Sequence, residues 1–159
     1  MNNEVERIRL LADLNIRLSE SPVTILLGAR QTGKTTLARM AARKRDIVRF
    51  FDLEVAADRT ALAATPEKIL SEITGLVVLD EVQRVPSLFE ILRPLADRPD
   101  VPARFLLLGS ASPDLVRTTS ETLAGRALVL HIPGFMLEEV GVERQNDLWL
   151  RGAFPRSFL

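Results

Sequence analysis

Cysteine is absent from the 159 residues. No disulfide framework and no cysteine-ligated metal can form, which fits a reducing compartment. Histidine occurs once, at His131, inside an apolar run where a core or edge role outweighs a ligand role. Neither sign of charge is in excess, because 21 basic residues balance 21 acidic ones. Nothing global therefore points to nucleic acid or to an anionic membrane. The opening Met1-Asn2-Asn3-Glu4-Val5-Glu6 lacks the basic-then-apolar layout of a signal peptide. No apolar run approaches the roughly 20 residues of a membrane span. Internal repeats and low-complexity segments are missing too. A soluble cytoplasmic protein with no membrane partner is expected, long enough to bury one sizeable core.

What is present reads as alternating helices and apolar strands. Val5, Ile8, Leu11, Leu14 and Leu18 recur at helical spacing and predict an amphipathic helix ending before Ser21-Pro22. Val23–Leu27 is a short apolar run rich in strand formers, followed by a helical pattern from Lys34 to about Arg45. Further strands are expected over 47–51, 76–79, 105–108 and 127–132. Thr65-Pro66 predicts a helix start, as does the Ser87-x-x-Glu90 capping-box spacing; Ser112-Pro113 looks like a third helix cap. Strands apolar on both faces, alternating with helices, argue for a mostly parallel five-stranded α/β sheet covered on both sides. Ligands of such sheets bind beyond the carboxyl ends of the strands.

Chemistry-bearing residues follow three of those strands. Gly28-Ala29-Arg30-Gln31-Thr32-Gly33-Lys34-Thr35 matches G-x-x-x-x-G-K-[ST] in full, between a strand and a helix. Glycines let the chain wrap closely, so that backbone N–H groups point at phosphate oxygens, with the helix dipole behind them. Lys34 is expected to bridge the β- and γ-phosphates, and the Thr35 hydroxyl to ligate Mg²⁺; Thr36 completes the binding set. The alternative, a Gly-rich turn with a surface lysine, is a poor match for this context.

Leu76–Leu79 ends in Asp80-Glu81. Asp80 is expected to hold Mg²⁺, mostly through water, and Glu81 to orient and polarise an attacking water. A solvated loop pair is the plainer alternative for any lone Asp-Glu. The pair also discriminates among nucleotide-binding proteins. No guanine-reading Asn-Lys-x-Asp exists, and Gln83 stands where a GTPase needs glycine after Asp80. ATP hydrolysis is thus preferred over GTP hydrolysis and over phosphoryl transfer to a metabolite.

Ser110 ends the fourth strand and is a candidate for sensing γ-phosphate or holding the water; a turn-forming serine is the alternative. Arg126 is a candidate for contacting phosphate in cis, or for acting in trans as an arginine finger. A plain surface arginine accounts for it equally well. Arg39, Arg43, Lys44, Arg45 and Arg49 form a basic stretch better read as a solvated helix face than as a nucleic-acid site.

Leu26–Thr36, Phe51-Asp52-Leu53-Glu54, Leu79-Asp80-Glu81-Val82-Gln83, Gly109-Ser110-Ala111-Ser112 and Leu123-Ala124-Gly125-Arg126 together resemble the ordered blocks of the predicted AAA-type P-loop ATPases of bacteria and archaea. The resemblance implies a P-loop NTPase sheet of AAA-like order 5-1-4-3-2, with the third and fourth strands beside the phosphate-loop strand. It implies ATP and Mg²⁺ as cofactors, and a second, C-terminal domain in the family. The expected organisation is an N-terminal helix over 1–20, an ATPase domain over 21–142, and over 143–159 the start of a C-terminal unit that is not present. Homo-oligomer formation or a protein partner on the tail is an expectation. So are two other functions: a nucleotide-dependent interaction module, and a fragment of a nucleic-acid-directed ATPase.

Overall fold

The computed structural model describes residues 5–159; the first four residues of the expected 1–20 unit lie outside the described residues. In chain order the main elements are α1 (Ile8–Glu20), β1 (Val23–Gly28), α2 (Lys34–Ala42), β2 (Val48–Asp52), α3 (Ala56–Ala64), α4 (Pro66–Glu72) and β3 (Gly75–Asp80). Then follow α5 (Leu88–Ala96), β4 (Ala103–Ser110), α6 (Pro113–Thr122), β5 (Ala127–Ile132), α7 (Leu137–Val140), α8 (Gln145–Arg151) and α9 (Pro155–Phe158). The strands form one sheet in the order β2-β3-β4-β1-β5, every pairing parallel. Read from the other edge this is 5-1-4-3-2, as expected. Only β4 touches β1 on that side, and β3 lies one strand further out.

Period-two alternation splits the core into two layers. Phe105 and Leu107 of β4, with Val23, Ile25 and Leu27 of β1, pack under α3 to α6. Leu106 and Leu108, with Leu26, Leu76 and Val78, pack under α1 and α2. Both faces of the central strands are therefore dry, which is why those runs read as unbroken apolar stretches. A small third cluster joins Phe135, Val140 and Phe158, with Val5, Leu137 and Leu148 against it. Among the described residues, no helix is long and apolar enough to cross a membrane.

Three local expectations change. The buried stripe of α1 is Leu10, Leu14 and Leu18, whereas Ile8 is 68% exposed. The i, i+4, i+8 row faces the sheet, not the row through Ile8. Ser87 does not cap α5: its backbone is helical and its side chain makes no capping bond. Ala56–Ala64 is a helix that apolar periodicity did not reveal. Ser112 does cap α6, its Oγ accepting from the Leu115 amide at 3.3 Å.

Leu14→Ala is expected to lower unfolding stability by about 2–5 kcal/mol. Ile8→Ala on the same helix should stay within about 0.5 kcal/mol of wild type. Urea unfolding of the two variants checks which face of α1 is buried.

Candidate functional site: the carboxyl edge of the sheet

Gly28 closes β1 directly opposite Ser110 of β4 and Ile132 of β5. A side chain at Gly28 has no room, since its Cβ would stand 2.8 Å from both the Ile132 carbonyl oxygen and Thr32 Oγ1. Left-handed backbone at Gln31 (φ 64°) and Gly33 (φ 91°) turns the loop back on itself. The Thr32 hydroxyl pins that turn by donating to the Ala29 carbonyl at 3.0 Å. Helix α2 begins at Lys34, so its unpaired first-turn N–H groups border the loop.

Lys34 is buried, and its Nζ donates to the Gly28 and Ala29 carbonyls at 3.1 and 2.9 Å. Burial pulls its pKa below the usual lysine value, while the Glu81 and Asp80 charges oppose that shift. The Thr35 hydroxyl donates to Asp80 Oδ2 at 2.6 Å, and Asp80 Oδ1 accepts from the Glu81 amide at 3.0 Å. Burial raises the Asp80 pKa; the Thr35 bond opposes the rise, and the charge of Glu81 adds to it. Among the described residues no cluster of three or more His, Cys, Asp or Glu could hold a metal. The hard oxygens of Thr35 and Asp80 nonetheless suit Mg²⁺, which takes few protein ligands and completes its shell from phosphate and water.

Glu81 follows Asp80 with a left-handed backbone (φ 55°), and its carboxylate accepts from the Gln83 amide. Ser110, half-buried, shares this edge. Arg30 and Gln31, both exposed, line a cavity with Phe154, Arg156 and Ser157. Thr36, exposed, borders a second cavity of about 290 Å³ walled mostly by Val5, Leu37, Met40, Phe135, Pro155 and Leu159. This largely apolar space adjoins Thr32 and Gly33 of the phosphate loop.

Arg126 is a correction. It precedes β5, and its carbonyl accepts from the Val23 amide at 3.3 Å, at the amino edge of the sheet. Its guanidinium grips Asp97 with bonds of 2.7 and 2.9 Å. The length of β1, about 17–20 Å, separates it from the loop of its own chain. Contact with phosphate in cis is therefore ruled out.

Arg7 was missed. It is 4% exposed and ties four segments together. Its guanidinium donates to the Thr32 and Pro133 carbonyls (both 3.1 Å), the Gly134 carbonyl (3.0 Å) and Glu139 Oε1 (2.7 Å). It also stacks over the Phe135 ring, 5.5 Å from the centroid. Nothing local marks it, because all its partners are remote in sequence.

A profile described as "AAA domain" matches residues 20–141. The chain belongs to this AAA-domain family. Two uncharacterised proteins, of Mycobacterium bovis and Mycobacterium tuberculosis, are each 47% identical to it over 154 residues. Those matches cover 97% of this chain and 34% of each relative, so the chain spans about a third of their length. Among solved structures, a Walker-type ATPase of Pyrococcus abyssi superposes with a TM-score of 0.70 at 18% identity, over 96% of this chain and 65% of that one. A RuvB variant of Thermotoga maritima gives a TM-score of 0.55 at 17% identity, over 92% and 51%. These likenesses establish the P-loop ATPase fold, and family and fold together make the chain an ATP-binding module.

Asp80→Asn should raise the melting temperature measured without nucleotide. A carboxylate whose folded pKa is raised opposes folding once ionised, and the neutral amide removes that term. If Asp80 helps to hold Mg²⁺, the same variant should bind ATP equally well with and without chelator, read by titration calorimetry. Arg7→Ala, which strands Glu139 in a buried site, should lower stability by about 3–5 kcal/mol in urea unfolding.

Proposed function

We propose that this chain binds ATP with Mg²⁺ and hydrolyses it to ADP and phosphate at the carboxyl edge of the sheet. The observation that carries this reading is the 2.6 Å bond from Thr35 to Asp80. It joins the phosphate loop to the strand end that bears Glu81. In this reading residues 21–142 form the ATPase domain, with α1 packed on it and 143–159 as a segment outside it.

Each residue then has one task. Backbone N–H groups of 28–35 hold the β- and γ-phosphates. Lys34 exchanges its two loop carbonyls for phosphate oxygens, a trade of neutral acceptors for charged ones. Thr35 and Asp80 hold Mg²⁺, which when bound neutralises charge on the phosphates. Glu81 accepts a proton from water as that water attacks the γ-phosphorus and the bond to ADP breaks. Ser110 borders the γ-phosphate position. The apolar cavity beside Gly33 receives the base, since flat heteroaromatic rings favour such walls.

A second reading is favoured by one specific feature. Pro155 and Leu159 line that same cavity, while Trp149 and Leu150 are 87% and 81% exposed. Occupancy of the cavity would then bias an apolar surface toward a protein partner or a second copy of the chain, with negligible turnover. Equal partner affinity in the apo, ADP and ATP states would sink this reading.

Lys34→Ala should weaken ATP binding about 10- to 100-fold, the worth of a charge-assisted contact. Glu81→Gln should keep affinity within about twofold and cut phosphate release by about 10²- to 10⁴-fold. Calorimetry and a phosphate-release assay read the two effects separately. Unchanged release in Glu81→Gln would remove Glu81 as the base.

A further inference from the structure

Gln83 lies two residues beyond Glu81, in a single 3-10 turn over Val82–Arg84. That turn is tied back to Glu81, whose carbonyl accepts from the Arg84 amide at 2.9 Å. The left-handed backbone at Glu81 reverses the chain, so a carboxylate and an amide two residues apart face each other. The Gln83 Nε2 donates to Glu81 Oε2. This bond engages one oxygen of the carboxylate and leaves the other available.

The far end of the amide is confined too. Gln83 Oε1 is buried, and no protein group among the described residues donates to it. A Cβ built on Gly109 would come within 3.1 Å of Oε1 and 2.3 Å of Leu115 Cδ2. Gly109 therefore makes the space that the amide occupies, next to Ser110 at the end of β4. The side chain is held between Glu81 and β4, as part of the edge.

We propose that Gln83 is a positioning residue for Glu81. Its amide N–H fixes the rotamer of the carboxylate so that the free oxygen meets the attacking water, while Gln83 itself touches neither nucleotide nor metal. Misplacing a catalytic group by about 1 Å can lower turnover by about 100-fold, so the effect of one fixing bond is measurable. This inference rests on Glu81 acting as the base.

The test is a double-mutant cycle on Glu81→Gln, Gln83→Leu and the pair, with Gln83→Glu as a second single variant. Gln83→Leu keeps volume and removes the donor; Gln83→Glu places a like charge against Glu81. Both should lower kcat about 10- to 100-fold, with KM, ATP affinity and melting temperature near wild type. In the Glu81→Gln background, Gln83→Leu should have no further effect, because groups that act as one unit are not additive. Equal losses in both backgrounds, or a loss confined to KM or melting temperature, would overturn the proposal. Unchanged turnover in Glu81→Gln would instead remove the base assignment beneath it, so the two failures are distinguishable.

Discussion

Everything at the carboxyl edge depends on β4 being inserted between β1 and β3. Its register sets Gly28 against Ser110 and Leu79 against Leu107, so both flanking strands deliver their last residues to one rim. Because the strands are parallel and dry on both faces, their ends are rigid and their orientation is shared. Thr35 can then reach Asp80 across β4, although 45 residues separate them in the chain. Without β4 in that place, the loop and the acidic pair would be two unrelated motifs.

The rim concentrates electrostatic conflict that the rest of the core avoids. Asp80, Glu81 and Lys34 are crowded together, and burial disfavours the charged form of both Asp80 and Lys34. Asp52 faces Asp80 in register and adds a further negative charge. A fold selected for stability alone would place neutral residues here. In the proposed reading, a triphosphate and a divalent cation would complete the site and relieve both conflicts at once.

The sheet was legible in the sequence, because an apolar strand flanked by helix signals is a local pattern. All five strands fall where the runs lie, and the strand order follows from the resembled family. The phosphate loop was equally local, being eight consecutive residues. What escaped reading was long-range or conditional. Arg7 carries no motif, and its partners lie 25 to 132 residues away. Ser87 had capping-box spacing but sits in a turn that continues from Val85, whose carbonyl already accepts from the Leu88 amide at 3.1 Å. Ala56–Ala64 is rich in alanine, which favours helix without leaving a periodic apolar stripe. Arg126 stands in a familiar block, yet its position before β5 sends it to the opposite rim. Spacing names candidates, and only the direction of the strand decides which end they reach.

The segment before α1 and the segment after α8 both close on the phosphate loop. Arg7 holds Thr32 and the 133–134 turn, and the Phe135 amide donates to the Ala153 carbonyl at 2.6 Å. Phe135 and Phe158 then meet edge to face, with ring centroids 5.6 Å apart. These contacts tie the three segments into a small apolar cluster of their own, beside the main core. A ligand seated in the cavity they share acts as a folding ligand for all of them, by about 2.7 kcal/mol at a hundredfold excess over Kd. Slow amide exchange at Phe135 and Phe158 would thus become a gauge of how full the loop is, at positions that no phosphate touches.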